Sequence, residues 1–301
     1  MKEFTPEYDS FFVLTPDKTI AEVRRWMGAA YPDMPMTQLE RVEQDILALF
    51  AGEFPGYRHS TTHYHDLPHT MSVYLATARL LHGAWLAGQG VSMPCAWNGL
   101  IGALFHDVGL IQTEDDTSGT GAKYAANHEQ RSMKFAADYL ARNCEQLPLT
   151  DIRIVKKCIA CTILSLDPSS IEFPDRETRL VSFAVGAADL YAQMADRAYL
   201  EKLLLLYDEF VEAHVPGYKS PLDLLRGTQG FWDHVVSTRI QDKMDNVGDY
   251  FIEHFASTIQ RRENLYLSSI HQNLAYLQQI LEQHAQEYRD MLRRTTEMIL
   301  N

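Results

Sequence analysis

The stretch NGLIGALFHDVG, residues 98–109, is the part of the chain from which the rest is best interpreted. It reads as a strongly apolar helix that ends in the adjacent pair His106 and Asp107, before a glycine suited to a helix C-cap at Gly109. A carboxylate at the edge of so apolar a helix is costly to desolvate unless a cation or hydrogen bonds offset the loss. Two such groups side by side therefore point to a metal ion.

A second histidine precedes this helix in the segment HDLPH, residues 65–69. Asp66 is a good N-cap residue, and proline costs little in the first turn of a helix, so a helix is predicted to begin here. His69 then shares one face with Val73 and Leu80 and points toward the core. An inward histidine is more often a hydrogen-bonded core residue than a ligand, but the neighbouring His–Asp pair favours a ligand.

A carboxylate stands alone in a third helical segment, VGAADLY, residues 185–191. Asp189 is the only acid between Glu177 and Asp196, and the small residues before it allow neighbouring helices to approach closely. Alone, it would be interpreted as a capping or salt-bridged aspartate. Together with the two histidines and Asp107 it completes a mixed nitrogen and oxygen set, which suits zinc, manganese or iron better than calcium.

Helical periodicity continues through most of the chain, and no alternating strand pattern competes with it. Thr37 to Glu40 reads as a capping box that starts a helix, and residues 113–123 read as a flexible loop. The sequence therefore predicts an all-α fold. The other predicted helical runs cover residues 69–81, 97–107, 125–142, 151–164, 177–195, 197–214 and 221–258.

The net charge of −13 argues against binding to nucleic-acid polymers or anionic membranes, since both require a basic surface. The acidic N-terminus does not resemble a secretory signal, and no apolar run approaches the roughly 18 residues that span a bilayer. A cytoplasmic location is expected. The four cysteines do not make a disulfide framework, and Cys158 and Cys161 are interpreted as core residues rather than metal ligands.

The C-terminal segment has a different character, because its apolar residues alternate at three- and four-residue steps as in a heptad seam. A long helix packed back on its own domain and a coiled coil that forms a homodimer are equally compatible with this pattern. The stripe consists of Leu267, Ile270, Leu274, Leu277, Leu281, His284, Tyr288 and Met291.

Three ordered motifs resemble those of the HD superfamily, and they are especially similar to the catalytic domain of cyclic-nucleotide phosphodiesterases. They are YHDLPHT at residues 64–70, LFHDVG at 104–109 and AADL at 187–190. The resemblance covers roughly residues 45–240. It implies an HD-type helical bundle. The chain is then predicted to consist of a wrapping segment at 1–45, an HD-type catalytic domain at 46–258 and a long C-terminal helix, available for oligomerisation, at 259–301.

Carried over to this sequence, the resemblance implies four ligands for a first metal ion, with Asp107 also reaching a second ion. It implies His65 as the general acid, a role that suits imidazole because it ordinarily titrates near neutral pH. The segment NHEQRS, residues 127–132, resembles a third HD-family segment and adds His128 as a ligand and Glu129 beside it. The cofactor is then one or two divalent ions, with zinc, manganese, magnesium and iron all left open. The four ligands are His69, His106, Asp107 and Asp189.

The activity expected from this resemblance is hydrolysis of a phosphoester, a phosphodiester or nucleotide, by metal-activated hydroxide, so the partner is a small phosphorylated substrate. Tyr64 is predicted to orient the substrate or to pack. Lys123, at the end of the loop, is a candidate for contact with a substrate phosphate, although a solvated lysine is the simpler interpretation. Gln229 and Phe231 stand where phosphodiesterases grip a purine, but the glutamine is one residue too close to the phenylalanine, which disfavours a cyclic purine nucleotide.

Two alternative functions are left open by the sequence. Some HD-type proteins hold two irons in an expanded histidine set and use oxygen to cleave carbon bonds, but Cys161 occupies a candidate position for such a histidine. A non-catalytic signalling or scaffold module would use the C-terminal stripe for binding. His65 argues against the scaffold, because a structural metal site needs no general acid.

Overall fold

The computed structural model describes residues 12–143 and 145–292, and within them the chain forms helices and no β-strand. The all-α fold predicted from the sequence is confirmed. Residues 1–11 and 293–301, the outer ends of the two predicted flanking segments, lie outside the described residues, as does Cys144. The helices are α1 (Pro16–Ala30), α2 (Met36–Ala51), α3 (Leu67–Leu86), α4 (Met93–Phe105), α5 (His128–Arg142), α6 (Ile152–Ala160), α7 (Arg176–Ala195), α8 (Tyr199–Glu212), α9 (Pro221–Phe231), α10 (Tyr250–Ile259), α11 (Leu265–Gln283) and α12 (Tyr288–Met291).

Short helical turns join several of these elements. They are 3₁₀ turns at Val108–Leu110, Gly121–Tyr124, Pro168–Ser170 and Val247–Asp249, and π-helical turns at Trp232–Val236 and Arg239–Lys243.

Helix α3 lies at the centre of the fold because it is covered on every side. Every residue from His69 to Ala84 is buried, and α1, α4, α7 and α10 pack around it. The helix begins as predicted, since the Asp66 carboxylate accepts the backbone N–H of His69 at 2.8 Å. Within residues 12–143 and 145–292, no helix has the length and hydropathy that crossing a membrane requires.

Helices α4 and α7 pack against α3 and against each other. Asp175 caps α7 by accepting the backbone N–H of Thr178 at 2.7 Å. A Cβ atom at Gly186 would lie 2.4 Å from the carbonyl oxygen of Cys161, so glycine is required where α7 meets the end of α6. The small residues before Asp189 therefore do allow a close approach, as the sequence indicated.

The C-cap predicted at Gly109 is wrong. Helix α4 ends at Phe105, and Gly109 lies in the following 3₁₀ turn. A Cβ atom there would lie 1.9 Å from the carbonyl oxygen of His128, and the Gly109 N–H donates to Ser132 Oγ at 2.8 Å. The glycine is needed because the chain that follows α4 lies directly against the first turn of α5.

Two further helix boundaries predicted from the sequence are wrong. Helix α2 begins at Met36 and has no side-chain cap, so Thr37 of the predicted capping box is already inside the first turn. The predicted run 221–258 is interrupted at Asp245 and Asn246, whose φ angles of 51° and 50° place them in the left-handed region. Left-handed residues cannot continue a right-handed helix, so α9 and α10 are separate.

Helix α11 packs against α7 of the same chain. Asn273 anchors it by donating hydrogen bonds to the carbonyl oxygens of Met194 and Asp196, each at 2.8 Å. The helix ends at Gln283, so the predicted heptad stripe does not run through one continuous helix. Dimer formation through this segment stays a prediction. The stripe residues buried on α11 are Ile270, Leu274 and Leu277.

Candidate metal centre

Three side chains from separate helices meet where α3, α4 and α7 pack together. His69 is in the first turn of α3, His106 directly follows α4, and Asp189 lies on α7. One ligand atom of each lies within 4.8 Å of the others, so the group can hold a metal ion. Both histidines are buried, and Asp189 is partly exposed.

Asp107 closes this cluster on one side. His106 Nε2 and His69 Nε2 lie 3.2 Å and 3.4 Å from its Oδ2 atom. His69 Nε2 is also 3.2 Å from Asp189 Oδ1 and 3.3 Å from His106 Nε2. We call His69, His106, Asp107 and Asp189 the His/Asp cluster.

The other oxygen of Asp107 faces a third histidine. Asp107 Oδ1 lies 3.4 Å from His128 Nε2, so the carboxylate stands between His128 and the two histidines of the His/Asp cluster. His128 is the first residue of α5, which begins three residues later than the predicted run at Ala125. Glu129 follows it, with Oε2 at 3.5 Å from His128 Nδ1. This arrangement can offer a second cation position that shares Asp107.

The donor set fits a divalent cation. The Nδ1 atoms of His106 and His128 lie 2.7 Å and 2.9 Å from the carbonyl oxygens of Ala103 and Ala125, which requires a proton on each Nδ1. The Nε2 lone pairs then point toward the carboxylates. Among the described residues, no hydrogen-bond donor satisfies the buried Oδ2 atom of Asp107. A cation would satisfy this oxygen and the nitrogens together, and the mixed set suits zinc, manganese or iron.

The pKa values of the histidines show that their protons can balance the charge of the buried carboxylates. Burial lowers the pKa of His69, but the neighbouring carboxylates of Asp107 and Asp189 outweigh burial and raise that pKa to about 10. Burial also lowers the pKa of His128, but the carboxylate of Asp107 outweighs burial and raises that pKa to about 9. Protons and a metal ion would therefore compete for the same Nε2 atoms, and metal binding releases protons.

A histidine–carboxylate pair stands beside the cluster. His65 Nδ1 lies 2.6 Å from Glu209 Oε2, while Glu209 Oε1 accepts the backbone N–H groups of His63 and Tyr64 at 2.9 Å and 2.7 Å. Burial raises the pKa of Glu209, but His65 and these N–H groups lower it below its ordinary value. The His65 ring centroid is 6.0 Å from that of His128, so the pair borders the metal centre.

A cavity of about 650 Å³ opens from the metal centre. His65, Asp107, His128 and Asp189 line one end of it, and apolar side chains of α8 and α9 line much of the remainder. We call it the site cavity. Its size is in the range of small-molecule binding sites.

Three of the five predicted substrate-binding residues, Tyr64, Glu129 and Phe231, line the site cavity. Lys123 and Gln229 are absent from its lining. Lys123 Nζ instead bonds Asp116 Oδ1 at 2.5 Å within the loop, and Gln229 Nε2 donates to the Asp233 carboxylate at 3.0 Å. Each side chain finds an acid close by in sequence, which holds it away from the cavity.

Two residues of the site were not predicted from the sequence. Glu209 holds His65, and Gln193 Oε1 accepts the Tyr64 hydroxyl at 2.5 Å. Glu209 lies one turn after Leu205 on the buried side of α8, which is the available signal. The exposed Asp208 precedes it, so spacing alone did not show which acid faces inward.

A family model described as Npun_R2479-like matches residues 38–265. The chain belongs to the Npun_R2479-like family. The matched range runs from the first turn of α2 to the first residue of α11 and includes every candidate residue from Tyr64 to Phe231. A comparison with curated proteins found no match. The candidate metal centre and the site cavity thus lie within the range that the family model matches.

Proposed function

We propose that this member of the Npun_R2479-like family hydrolyses a phosphoester with one or two divalent metal ions, and that His65 is the general acid. The observation that carries the proposal is the His65–Glu209 pair beside the His/Asp cluster, at one end of the site cavity. A metal site with only a structural role would need neither a positioned histidine outside the ligand set nor access to a cavity. The resemblance of the motifs to the HD superfamily supports the same chemistry.

The His/Asp cluster would hold the first ion, and Asp107 with His128 a second. A bound divalent ion lowers the pKa of water and neutralises negative charge on a phosphoryl group. Asp107 and Asp189 line the site cavity, so the phosphoryl group of a substrate has to bind at this end. The buried carboxylates would repel a bare phosphate, which makes the phosphoester site dependent on metal.

The contacts of His65 suit proton donation. Glu209 accepts from Nδ1 and leaves Nε2 as the ring nitrogen available to a substrate. Glu209 is itself held by the backbone N–H groups of His63 and Tyr64. The imidazole is therefore held in one orientation before substrate binds, and its Nε2 proton can pass to the departing oxygen.

The test combines elemental analysis with hydrolysis of bis-p-nitrophenyl phosphate after the protein is stripped with a chelator and reloaded with manganese, zinc, magnesium or iron. His65→Ala is expected to keep its metal and to lose about 10²- to 10⁴-fold in rate, the usual contribution of a general acid. His63→Ala is the matched control, because His63 is exposed and contributes only its backbone N–H. It should keep both metal and rate.

Two outcomes would contradict the proposal. An unchanged rate in His65→Ala would show that His65 is not the general acid. An iron-loaded, coloured protein that consumes oxygen and hydrolyses no phosphoester would favour the diiron oxygenase instead.

A further inference from the structure

We infer that the site cavity selects a phosphoester that carries one phosphoryl group and an apolar organic group, rather than a nucleotide. This inference rests on the proposed function, because it takes the metal centre as the phosphoryl end of the cavity. The rest of the cavity lining then decides which organic group is accepted. Its charge, its polar groups and its apolar surface each support the inference.

The charge of the cavity disfavours additional phosphates. In the described part of the chain, no lysine or arginine lines the site cavity, whereas Asp107, Glu129 and Asp189 do. Arg239 is absent from the lining, and its guanidinium donates to four backbone carbonyls of the 161–166 loop. Away from the metal ions, a second phosphate or a free carboxylate would therefore lie without a cationic side chain to balance its charge.

The carbonyl oxygens that Arg239 holds belong to the loop that forms one wall of the cavity. They are those of Cys161, Ile163, Leu164 and Leu166.

Several polar groups in the cavity lining already have internal partners. The Thr162 and Thr228 hydroxyls donate to backbone carbonyls at 2.8 Å and 3.0 Å. Gln193 accepts the Tyr64 hydroxyl at 2.5 Å. Gln229, which stands near the position where phosphodiesterases carry a purine-binding glutamine, bonds Asp233 and does not line the cavity. Recognition of a base edge needs free donors and acceptors in fixed positions, and these side chains do not supply them.

Apolar side chains supply much of the remaining lining, beside the polar side chains of Gln130, Ser165, Tyr199 and Tyr218. Leu203, Leu206 and Phe210 lie along α8, and Leu224 and Phe231 lie on α9. Burying one methylene group against such a surface improves binding by about fourfold. An alkyl or aryl group attached to the phosphate would therefore bind here, and its length would determine how well the cavity is filled.

The experiment uses p-nitrophenyl phosphodiesters whose second ester group is methyl, butyl, octyl or thymidine, assayed with the metal-loaded full chain. All four share one leaving group, so differences in kcat/KM report the second group. We expect kcat/KM to rise by about two- to fourfold per methylene from methyl to butyl and to stay raised at octyl. The thymidine ester should be no better than the methyl ester.

Variants test whether side chains of the cavity wall cause this preference. Phe210→Ala should lower the ratio of kcat/KM for the octyl ester to that for the methyl ester. Val211→Ala should not, because Val211 is 56% exposed and lies outside the cavity lining. Leu206→Lys, at a half-buried position, should lower the ratio in the same way and serves if Phe210→Ala does not fold.

The outcomes separate the two proposals. Turnover of the methyl ester without any dependence on chain length, or with a preference for thymidine, overturns the substrate inference alone. Failure of the metal-loaded protein to hydrolyse any of the four esters overturns the proposed function and the substrate inference with it.

Discussion

Two groups of buried histidines in this chain have opposite electrostatics. In the candidate metal centre, burial is outweighed by carboxylates, which raise the pKa of His69 to about 10 and that of His128 to about 9. His82 on α3 and His254 on α10 form a second group, with Nδ1 atoms 3.1 Å apart. Burial lowers the pKa of His82 to about 4 and, with Arg79, that of His254 to about 2.

The surroundings of the second pair explain the difference. Trp26 lies against both rings, with centroid distances of 5.3 Å to His82 and 5.2 Å to His254. Among the described residues, no carboxylate contacts either imidazole. Two close buried histidines therefore do not by themselves make a metal centre. The carboxylate beside an imidazole decides whether the group attracts a cation or stays neutral.

The largest expected effect comes from making the metal centre resemble the second pair. Asp107→Asn keeps the size of the side chain and removes its charge. Metal affinity should fall by more than about 100-fold and hydrolysis should be lost, because even residues that only hydrogen-bond to metal ligands contribute about 10- to 100-fold to metal affinity. Elemental analysis and the phosphodiester assay measure both. Asp115→Asn, at an exposed acid in the 113–123 loop, is the control. Normal metal content in Asp107→Asn would contradict the ligand assignment.

The second prediction concerns the metal-free protein at alkaline pH. The pKa values of His69 and His128 are raised above their ordinary 6.5, so their contribution to stability is present below about pH 6.5 and lost as pH rises through 9 to 10. We expect the free energy of unfolding to fall by several kcal/mol over that range, at about 1.4 kcal/mol per pKa unit. Urea unfolding from pH 7 to 10, with and without metal, measures it. The same dependence of the unfolding free energy on pH with and without metal would contradict this prediction.

The third prediction has the opposite sign and concerns the second pair. The pKa of His82 is lowered in the folded state, so its contribution is present above about pH 6.5 and is lost as pH falls toward 4. The loss should reach about 3 kcal/mol at pH 4. Comparing urea unfolding of the wild type and His82→Gln at pH 7 and pH 4.5 isolates this histidine, with exposed His59→Gln as control. A variant as acid-sensitive as the wild type would show that the pair is not neutral.

The smallest expected effect comes from changing Glu209, the carboxylate that accepts from His65 Nδ1. Glu209→Gln should lower kcat by about 10- to 100-fold, less than loss of His65, the proposed general acid, because the imidazole remains but is held less firmly. KM and metal content should not change. The neighbouring exposed acid provides Asp208→Asn as the control. A change in metal content instead of kcat would assign Glu209 to the metal centre rather than to His65.

Much of the site's position could be predicted from local sequence. Asp66 and Pro68 set the start of α3, and the apolar neighbours of His69 set its inward direction. His106 and Asp107 follow an apolar helix directly, so they had to lie at its end. Cap geometry was less predictable, because Gly109 is required by contact with His128 rather than by the helix it follows.

Partners distant along the chain could not be predicted. Helix α8 contains several acids, and only its packing against the segment before α3 selects Glu209 to meet His65. Lys123 and Gln229 were candidates for substrate contact in the sequence, and each instead bonds an acid close by in sequence. Residue type and spacing do not show which of two available partners a long side chain will choose.

By itself, the sequence determined the helical class, the start of α3 and the inward direction of His69, because capping and periodicity act over only a few residues. Only the tertiary structure decided that Glu209 holds His65, that α8 and α9 enclose an apolar cavity, and that His82 and His254 meet without a carboxylate. The reason is that burial and charge partners arise from contacts between helices, and these contacts determine the charge of each imidazole.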